Sequence, residues 1–328
     1  MQLVINTFGA SIRKTGELFE ILIGDEKKKI SPKKVQSILI TTGAHLSTDA
    51  IKMAVENNID ILFLDKYGNP YGRIWHGKLG STARIRRQQI ILSMSNQGLS
   101  FGMQWLYKKL NNQIELLLKI RDRRSRLSAD ITAVIDVLKN TVSAFEKMDD
   151  RPDNLRGKIM GLEGRAGSAY WRIISRLLPD RFQFKDRSRN PAKDEFNCLL
   201  NYAYGVLYGI VERACILAGL DPYVGFIHTD NYNKISLVFD VIEAYRIFAD
   251  ETVLSLFSSR KITAGLFDKV RGGLSLNKDG KEVLMLKYNE YLDESMHYSG
   301  RNIKRRDTIQ FDLHKFAAGI LKTIPESA

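Results

Sequence analysis

The chain has 328 residues, about twice the ~150-residue length that serves as a soft prior for one domain, so two domains are expected and a single small module is excluded. Apolar residues make up 44% and charged residues 27%, the balance of a folded protein rather than a disordered or fibrous one. Lys and Arg number 50 against 37 Asp and Glu, and the formal net charge of +13 favours polyanionic partners, nucleic acid first and an anionic membrane surface second.

Residues 1–76 read as a β-rich unit. Short β-prone runs at 3–5, 12–13, 18–23, 38–40, 61–64 and 72–75 are separated by turn signals at Gly9, 14–17, 24–25 and 67–70. Within this unit, Ser47, Thr48 and Asp49 can cap a helix through Ile51, Met53, Ala54 and Val55 that Asn57 and Asn58 stop. Residues 77–83, with Gly77 and Gly80, form the expected linker. Over 84–328 apolar residues recur at three- and four-residue spacing, with loops at 148–152 and 179–191, which predicts helices. The expected fold class is therefore α+β: a small N-terminal β-rich domain followed by a larger all-α C-terminal domain. Cys198 and Cys215 supply neither a disulfide framework nor a paired zinc motif and are expected to be buried free thiols. The longest apolar runs fall far short of the ~20 residues of a spanning helix and no signal-peptide layout opens the chain, so a cytoplasmic protein with no membrane partner is expected.

Three constellations carry chemistry. A helix expected over about 155–178 places Glu163 on one stripe with Leu155, Ile159, Gly167, Tyr170 and Ile174, so its carboxylate shares an apolar, glycine-lined face. Glycine costs a helix ~1 kcal/mol relative to alanine, so close approach of a backbone or ligand would account for Gly161, Gly164 and Gly167. The plainer reading of Glu163 alone is an interhelical salt bridge. Farther on, His228 precedes a helix with Ser236 as N-cap, on which Asp240 and Glu243 are three apart and share a ridge. Taken singly, a histidine is more often a hydrogen-bonded structural residue and such an acid pair a solvated face. Jointly, Glu163, His228 and Glu243 offer two hard oxygens and an imidazole, a set that suits Mg²⁺ or Mn²⁺ better than structural zinc. Such an ion would polarise a phosphoryl oxygen and acidify a bound hydroxyl, as phosphodiester substitution requires.

The third constellation is basic. Arg84, Arg86 and Arg87 open the helical part, Arg187 and Arg189 lie in the 179–191 loop, residues 119–126 end a long amphipathic helix, and Lys304 and Arg305 sit near the C-terminus. Each cluster alone reads as a solvated face; the uncompensated net charge makes them candidate DNA contacts. No phosphate-binding Gly-x-x-x-x-Gly-Lys loop, dinucleotide Gly-x-Gly-x-x-Gly or Gly-x-Ser-x-Gly elbow occurs, so nucleotide hydrolysis, dinucleotide binding and serine-hydrolase chemistry have no support.

Three stretches together have a family likeness: Gly161-Leu162-Glu163-Gly164 with Ala169-Tyr170; Arg189-Asn190-Pro191 with Asp194, Asn197, Leu199, Leu200, Asn201, Tyr202 and Tyr204; and Gly219-Leu220-Asp221-Pro222 through Gly225-Phe226-Ile227-His228 to the 236–243 helix. On these residues the sequence resembles the CRISPR-associated adaptation integrase family, the first-numbered Cas protein, over essentially the whole chain. The resemblance implies a metal-dependent DNA endonuclease and integrase. In such a protein a DNA 3′-hydroxyl attacks a phosphodiester of the repeat, and short fragments enter a CRISPR array. It implies Glu163, His228 and Glu243 as ligands of Mg²⁺ or Mn²⁺ and Asp240 as a second acidic catalytic position, with the choice between Asp240 and Glu243 as third ligand open. It also implies a homodimer formed through the β domain, a small ferredoxin-like second Cas protein as partner in a heterohexamer, and double-stranded and branched DNA as substrates. Two other functions stay open at this point: a standalone branched-DNA repair nuclease and a non-catalytic nucleic-acid-binding scaffold. His45, His76, His297 and His314 are expected to be structural or surface residues.

Overall fold

Alternation in the first 74 residues sorts side chains onto two faces, and in one of the two sheets it builds both faces are buried. The computed structural model describes residues 2–35, 37–68, 70–74, 83–148, 152–189, 191–228 and 234–323. Its N-terminal part runs β1 (Gln2–Ile5), β2 (Ser11–Thr15), β3 (Leu18–Ile23), β4 (Glu26–Ile30), β5 (Ser37–Ile40), β6 (His45–Leu46), α1 (Thr48–Glu56), β7 (Asp60–Leu64) and β8 (Pro70–Ile74). These make two four-stranded sheets, in the orders β1-β5-β7-β8 and β4-β3-β2-β6. In the first, β1, β5 and β7 are parallel, and near-continuous apolar runs suit strands covered on both sides. Leu3, Ile5, Ile38, Ile40 and Ile61 face the β-domain core with Ile12, Phe19 and Met53. Leu39, Leu62 and Leu64, one residue out of phase, join the core of the helical part. One sheet thus walls two cores.

The expected helix starts where its cap predicts, with the Ser47 hydroxyl accepting from the Ala50 amide at 3.2 Å, and Asn58 leaves it in the left-handed region at φ 55°. Strand β4 escaped the sequence reading because its residues are Glu-Lys-Lys-Lys-Ile, a lysine-rich edge that discourages pairing with another chain. The linker expected at 77–83 lies outside the described residues except for Ala83.

The C-terminal part runs α2 (Ala83–Ser93), α3 (Asn96–Arg121), α4 (Ser128–Glu146), α5 (Pro152–Leu177), α6 (Glu195–Leu217), α7 (Ser236–Ile242), a 3-10 turn at Glu243–Tyr245, α8 (Arg246–Ser258), β9 (Phe267–Val270), β10 (Gly273–Leu276), α9 (Lys278–Asp293), β11 (Ser295–Tyr298), β12 (Arg301–Lys304) and α10 (Arg305–Lys322). The α+β class is as read from the sequence, but the larger part is mostly rather than entirely helical. Two antiparallel hairpins, β9–β10 and β11–β12, interrupt the helices. The second closes through Ser299 and Gly300, both at positive φ (50° and 75°), the backbone that a twisted two-residue hairpin turn demands. The first supports the 179–191 loop, since the Leu274 amide donates to the Ala192 carbonyl at 2.7 Å. Cys198 and Cys215 are both buried and unpaired.

Helix α6 is buried along most of its length, as a helix apolar on all sides must be. It presses on the β domain: a Cβ at Gly205 would lie 1.7 Å from the Gly68 carbonyl oxygen. Beside that contact, Arg73 of β8 donates to Asp60 at 2.9 Å and to the Gly209 carbonyl at 2.8 Å, and pairs with Glu212 at 2.9 Å. Because backbone meets backbone there, Gly205→Val is expected to lower stability by roughly 2–3 kcal/mol. Gly157→Ala, in open space on α5, is expected to raise it by about 0.5–1 kcal/mol. Urea denaturation midpoints of the two variants should move in opposite directions.

Candidate active site

Helix α5 buries the stripe expected of it, with Leu155, Ile159, Tyr170 and Ile174 all inside. Glu163 stands at the rim of that stripe, its side chain 29% exposed. No backbone crowds the neighbouring glycines: Gly161 and Gly164 face open space, and a Cβ on Gly167 would meet only the Glu163 carboxylate. The close approach inferred from the sequence is therefore not made within the protein. Instead, Gly164 and Gly167 help to line a cleft of about 830 Å³ into which Glu163, His228 and Glu243 also open.

His228 is held by a carboxylate that the fold hides. Asp240, on α7, accepts from the backbone amides of Phe226, Ile227 and His228 at 2.6, 3.0 and 3.0 Å, and from His228 Nδ1 at 2.6 Å. A carboxylate that accepts from three amides accepts from the ring as well, so Nδ1 carries a proton and Nε2 is the nitrogen left facing the cleft. Burial lowers the imidazole pKa, but the Asp240 hydrogen bond and charge, with Glu243 behind them, leave it raised. The same segment is gripped from the other side by Arg156 of α5, which donates to the Phe226 carbonyl at 3.2 Å. Residues 229–233 lie outside the described residues.

Glu243 turns away from Asp240. The α-helix ends at Ile242 and continues as a 3-10 turn, so the two acids do not share the solvated ridge their spacing suggested. The helix also begins one residue earlier than expected: Ile235 is the N-cap and Ser236 is the first helical residue. Glu243 Oε1 pairs with Arg246 at 2.8 Å, and its Oε2 lies 2.6 Å from the ammonium of Lys109 on α3. Burial pushes the Glu243 carboxyl up, but Arg246 and Lys109 outweigh it and hold the group down, to about 2. The Lys109 ammonium is also in contact with Glu163. Among the described residues no three Asp, Glu, His or Cys side chains close on one point; here an ammonium stands between the two carboxylates. Lys109 was not singled out from the sequence, because a lysine amid the apolar periodicity of a long helix reads as an interruption.

Among the described residues the cleft is lined by seven Lys or Arg against three Asp or Glu, an imbalance that suits a polyanion. Arg187 and Arg189 both line it. Arg187 is stacked between Trp171 and Tyr204 and donates to Asn201 at 2.9 Å and to Asn197, so it is a fixed part of the wall, whereas Arg189 is exposed. The other basic candidates lie apart from the cleft lining. Arg84 and Arg87 are exposed on α2 and Arg86 is half-buried there; Lys304 pairs with Asp293 at 3.3 Å, and Arg305 with Glu294. His45, His297 and His314 are exposed, and His76 lies outside the described residues.

Behind the cleft wall lies another acid, which carries no signal in the sequence. Asp250 of α8 is buried and accepts from the hydroxyls of Tyr204 at 2.6 Å and Tyr170 at 3.1 Å. Burial pushes its carboxyl up to about 6, against those hydrogen bonds and the pull of Arg246 and Arg187. A raised acid stabilises the fold below its unfolded pKa and loses that contribution as pH rises through the folded value. Asp250→Asn is therefore expected to gain stability relative to the parent between pH 4 and pH 7, by on the order of 2 kcal/mol in urea melts across that range.

A strand-rich unit followed by a mostly helical unit is a fold already seen in solved structures. CAS1 protein TM1797 from Thermotoga maritima superposes with a TM-score of 0.82 at 21% identity, over 98% of this chain and 97% of that one. A casposase bound to integration product gives 0.85 at 21% identity, over 99% and 92%. The chain belongs to the CRISPR associated protein Cas1 family, whose model matches residues 3–290. CRISPR-associated endonuclease Cas1 1 of Archaeoglobus fulgidus is 31% identical over 316 residues, covering 92% of this chain and 91% of that protein. CRISPR-associated endonuclease Cas1 2 of Saccharolobus solfataricus is 30% identical over 272 residues, covering 83% and 78%. No helix among the described residues is long and apolar enough to cross a membrane.

Proposed function

We propose that the cleft is the active site of a DNA endonuclease and integrase that inserts short DNA fragments into a CRISPR array by attack of a 3′-hydroxyl on a phosphodiester. The observation that carries this reading is that Glu163, Glu243 and an imidazole pre-oriented by Asp240 line one cationic cleft. The endonuclease names of the Archaeoglobus and Saccharolobus relatives support it, as does the likeness of fold to a casposase bound to integration product.

The donor set suits a divalent cation of the Mg²⁺ or Mn²⁺ type, because Glu163 and Glu243 already converge on one positive charge and Asp240 occupies His228 Nδ1, which leaves Nε2 as the nitrogen available to a ligand. Glu163, Glu243 and His228 Nε2 would hold it; bound there, it supplies Lewis-acid polarisation of a phosphoryl oxygen. Asp240 acts as a positioning residue, since both its oxygens are committed to the 226–228 segment. Arg246 neutralises Glu243 from the side away from Lys109. Arg172, Lys185, Arg189 and Lys234 surround the approach and hold the phosphate backbone without reading sequence. Double-stranded and branched DNA are the substrates of this reading. A second copy of the chain and the small ferredoxin-like second Cas protein are its partners in a heterohexamer, acting in the cytoplasm. A solved complex of similar fold, Cas6-RT-Cas1--Cas2, supports the second Cas partner. A non-catalytic scaffold would leave the buried Asp240–His228 pair without a task.

Glu163→Gln and His228→Ala are each expected to reduce Mn²⁺-dependent strand transfer into a repeat-containing plasmid by about a thousandfold or more, with duplex affinity nearly unchanged. Full strand transfer in either variant would falsify the assignment, and cleavage of branched DNA without strand transfer in the parent would favour a standalone repair nuclease. Asp240→Asn is expected to cost about 10- to 100-fold in Mn²⁺ affinity, measured by titration calorimetry, because the ring loses its orienting partner.

A further inference from the structure

Lys109 sits in the middle of α3 with its side chain only 10% exposed, in contact with Glu163 and 2.6 Å from Glu243 Oε2. Its partner Glu243 has its other oxygen committed to Arg246 at 2.8 Å. Oε2, the oxygen facing Lys109, is therefore the one left for any further cation. A divalent ion binds carboxylate oxygen at ~2.1 Å, and an ammonium already in contact with both acids fills that space. The charges also compete: Glu163 and Glu243 are balanced by Lys109 and Arg246, so a divalent ion added to the same four groups leaves an uncompensated +2 at the cleft wall. Room to relieve both conflicts exists on the cleft side. Lys109 lines the cleft of about 830 Å³, and α5 beside Glu163 is bare at Gly164 and Gly167.

We propose that Lys109 is a resident counter-cation, which closes the Glu163–Glu243 gap in the metal-free protein and is displaced into the cleft when a divalent ion binds. This rests on the metal reading of the site given above. Displacement has two consequences. The metal-free protein does not present two unneutralised carboxylates side by side, and loading the metal moves a positive charge toward the place where a DNA phosphate would lie.

The test uses Mn²⁺ and the whole chain. Lys109→Met keeps the length of the stem and removes the competing charge, so its Mn²⁺ affinity by titration calorimetry is expected to be tighter than the parent's by about tenfold or more. As a readout that does not depend on how that variant folds, amine-directed acetylation of the parent, followed by mass spectrometry, is expected to modify Lys109 several-fold more when Mn²⁺ is saturating. Lys108, paired with Asp312 at 2.8 Å, should not change and serves as the internal control. Equal or weaker Mn²⁺ binding by folded Lys109→Met, or Lys109 labelling indifferent to Mn²⁺, overturns the displacement while leaving the metal site in place. Mn²⁺ binding that is absent from the parent, or is retained undiminished in Glu163→Gln, overturns the metal reading and the displacement together.

Discussion

A carboxylate taken out of water must be neutralised where it stands, and that requirement organises the helical half of this protein. Glu243 is buried at the end of a short helix, and the groups that make its ionisation tolerable come from different places: Arg246 from the next turn, Lys109 from the middle of α3. Lys109 in turn reaches Glu163 on α5. Three elements distant in sequence are thereby committed to one point, since a buried charge left without partners typically costs about 3–5 kcal/mol.

The second constraint is on backbone rather than charge. Asp240 gathers three consecutive amides and one imidazole, so the 226–228 segment has almost no freedom and the ring presents a single nitrogen to the cleft. Arg156 holds the same segment through its carbonyl, which ties the orientation of His228 to the helix that carries Glu163. On the opposite wall, the β9–β10 hairpin and the Asn197–Asn201 edge of α6 fix the loop that carries Arg187 and Arg189. Helix α6 is itself seated against the β domain through Gly205 and Arg73, so the cleft is built on a frame that includes both halves of the chain.

Much of this was legible in the sequence. The strands at 18–23, 38–40 and 61–64 announce themselves as short apolar runs between turn signals, α1 by its Ser47 cap and its Asn57-Asn58 stop, and the buried stripe of α5 by its spacing. What escaped was what local pattern does not encode. A run of Lys27, Lys28 and Lys29 looks like a loop until a neighbouring strand pairs with it, and Ser299-Gly300 looks like part of a basic tail until both residues turn left-handed. Lys109, Asp250 and Arg156 carry no sequence signal as site residues, because each earns its role from partners more than 40 positions away.

By itself the sequence determined the α+β order of elements, the cationic excess, the family likeness and the identity of the residues that could serve a hard cation, since these depend on composition and on periodicities of two and about 3.6 residues. Only the tertiary structure decided how Asp240 and Glu243 divide their work. One faces inward to three amides and a ring, and the other faces a lysine from a remote helix. Side-chain direction at a helix end depends on where the helix changes pitch, and the pairing of buried charges depends on which helices meet. Neither is a property of neighbouring residues along the chain.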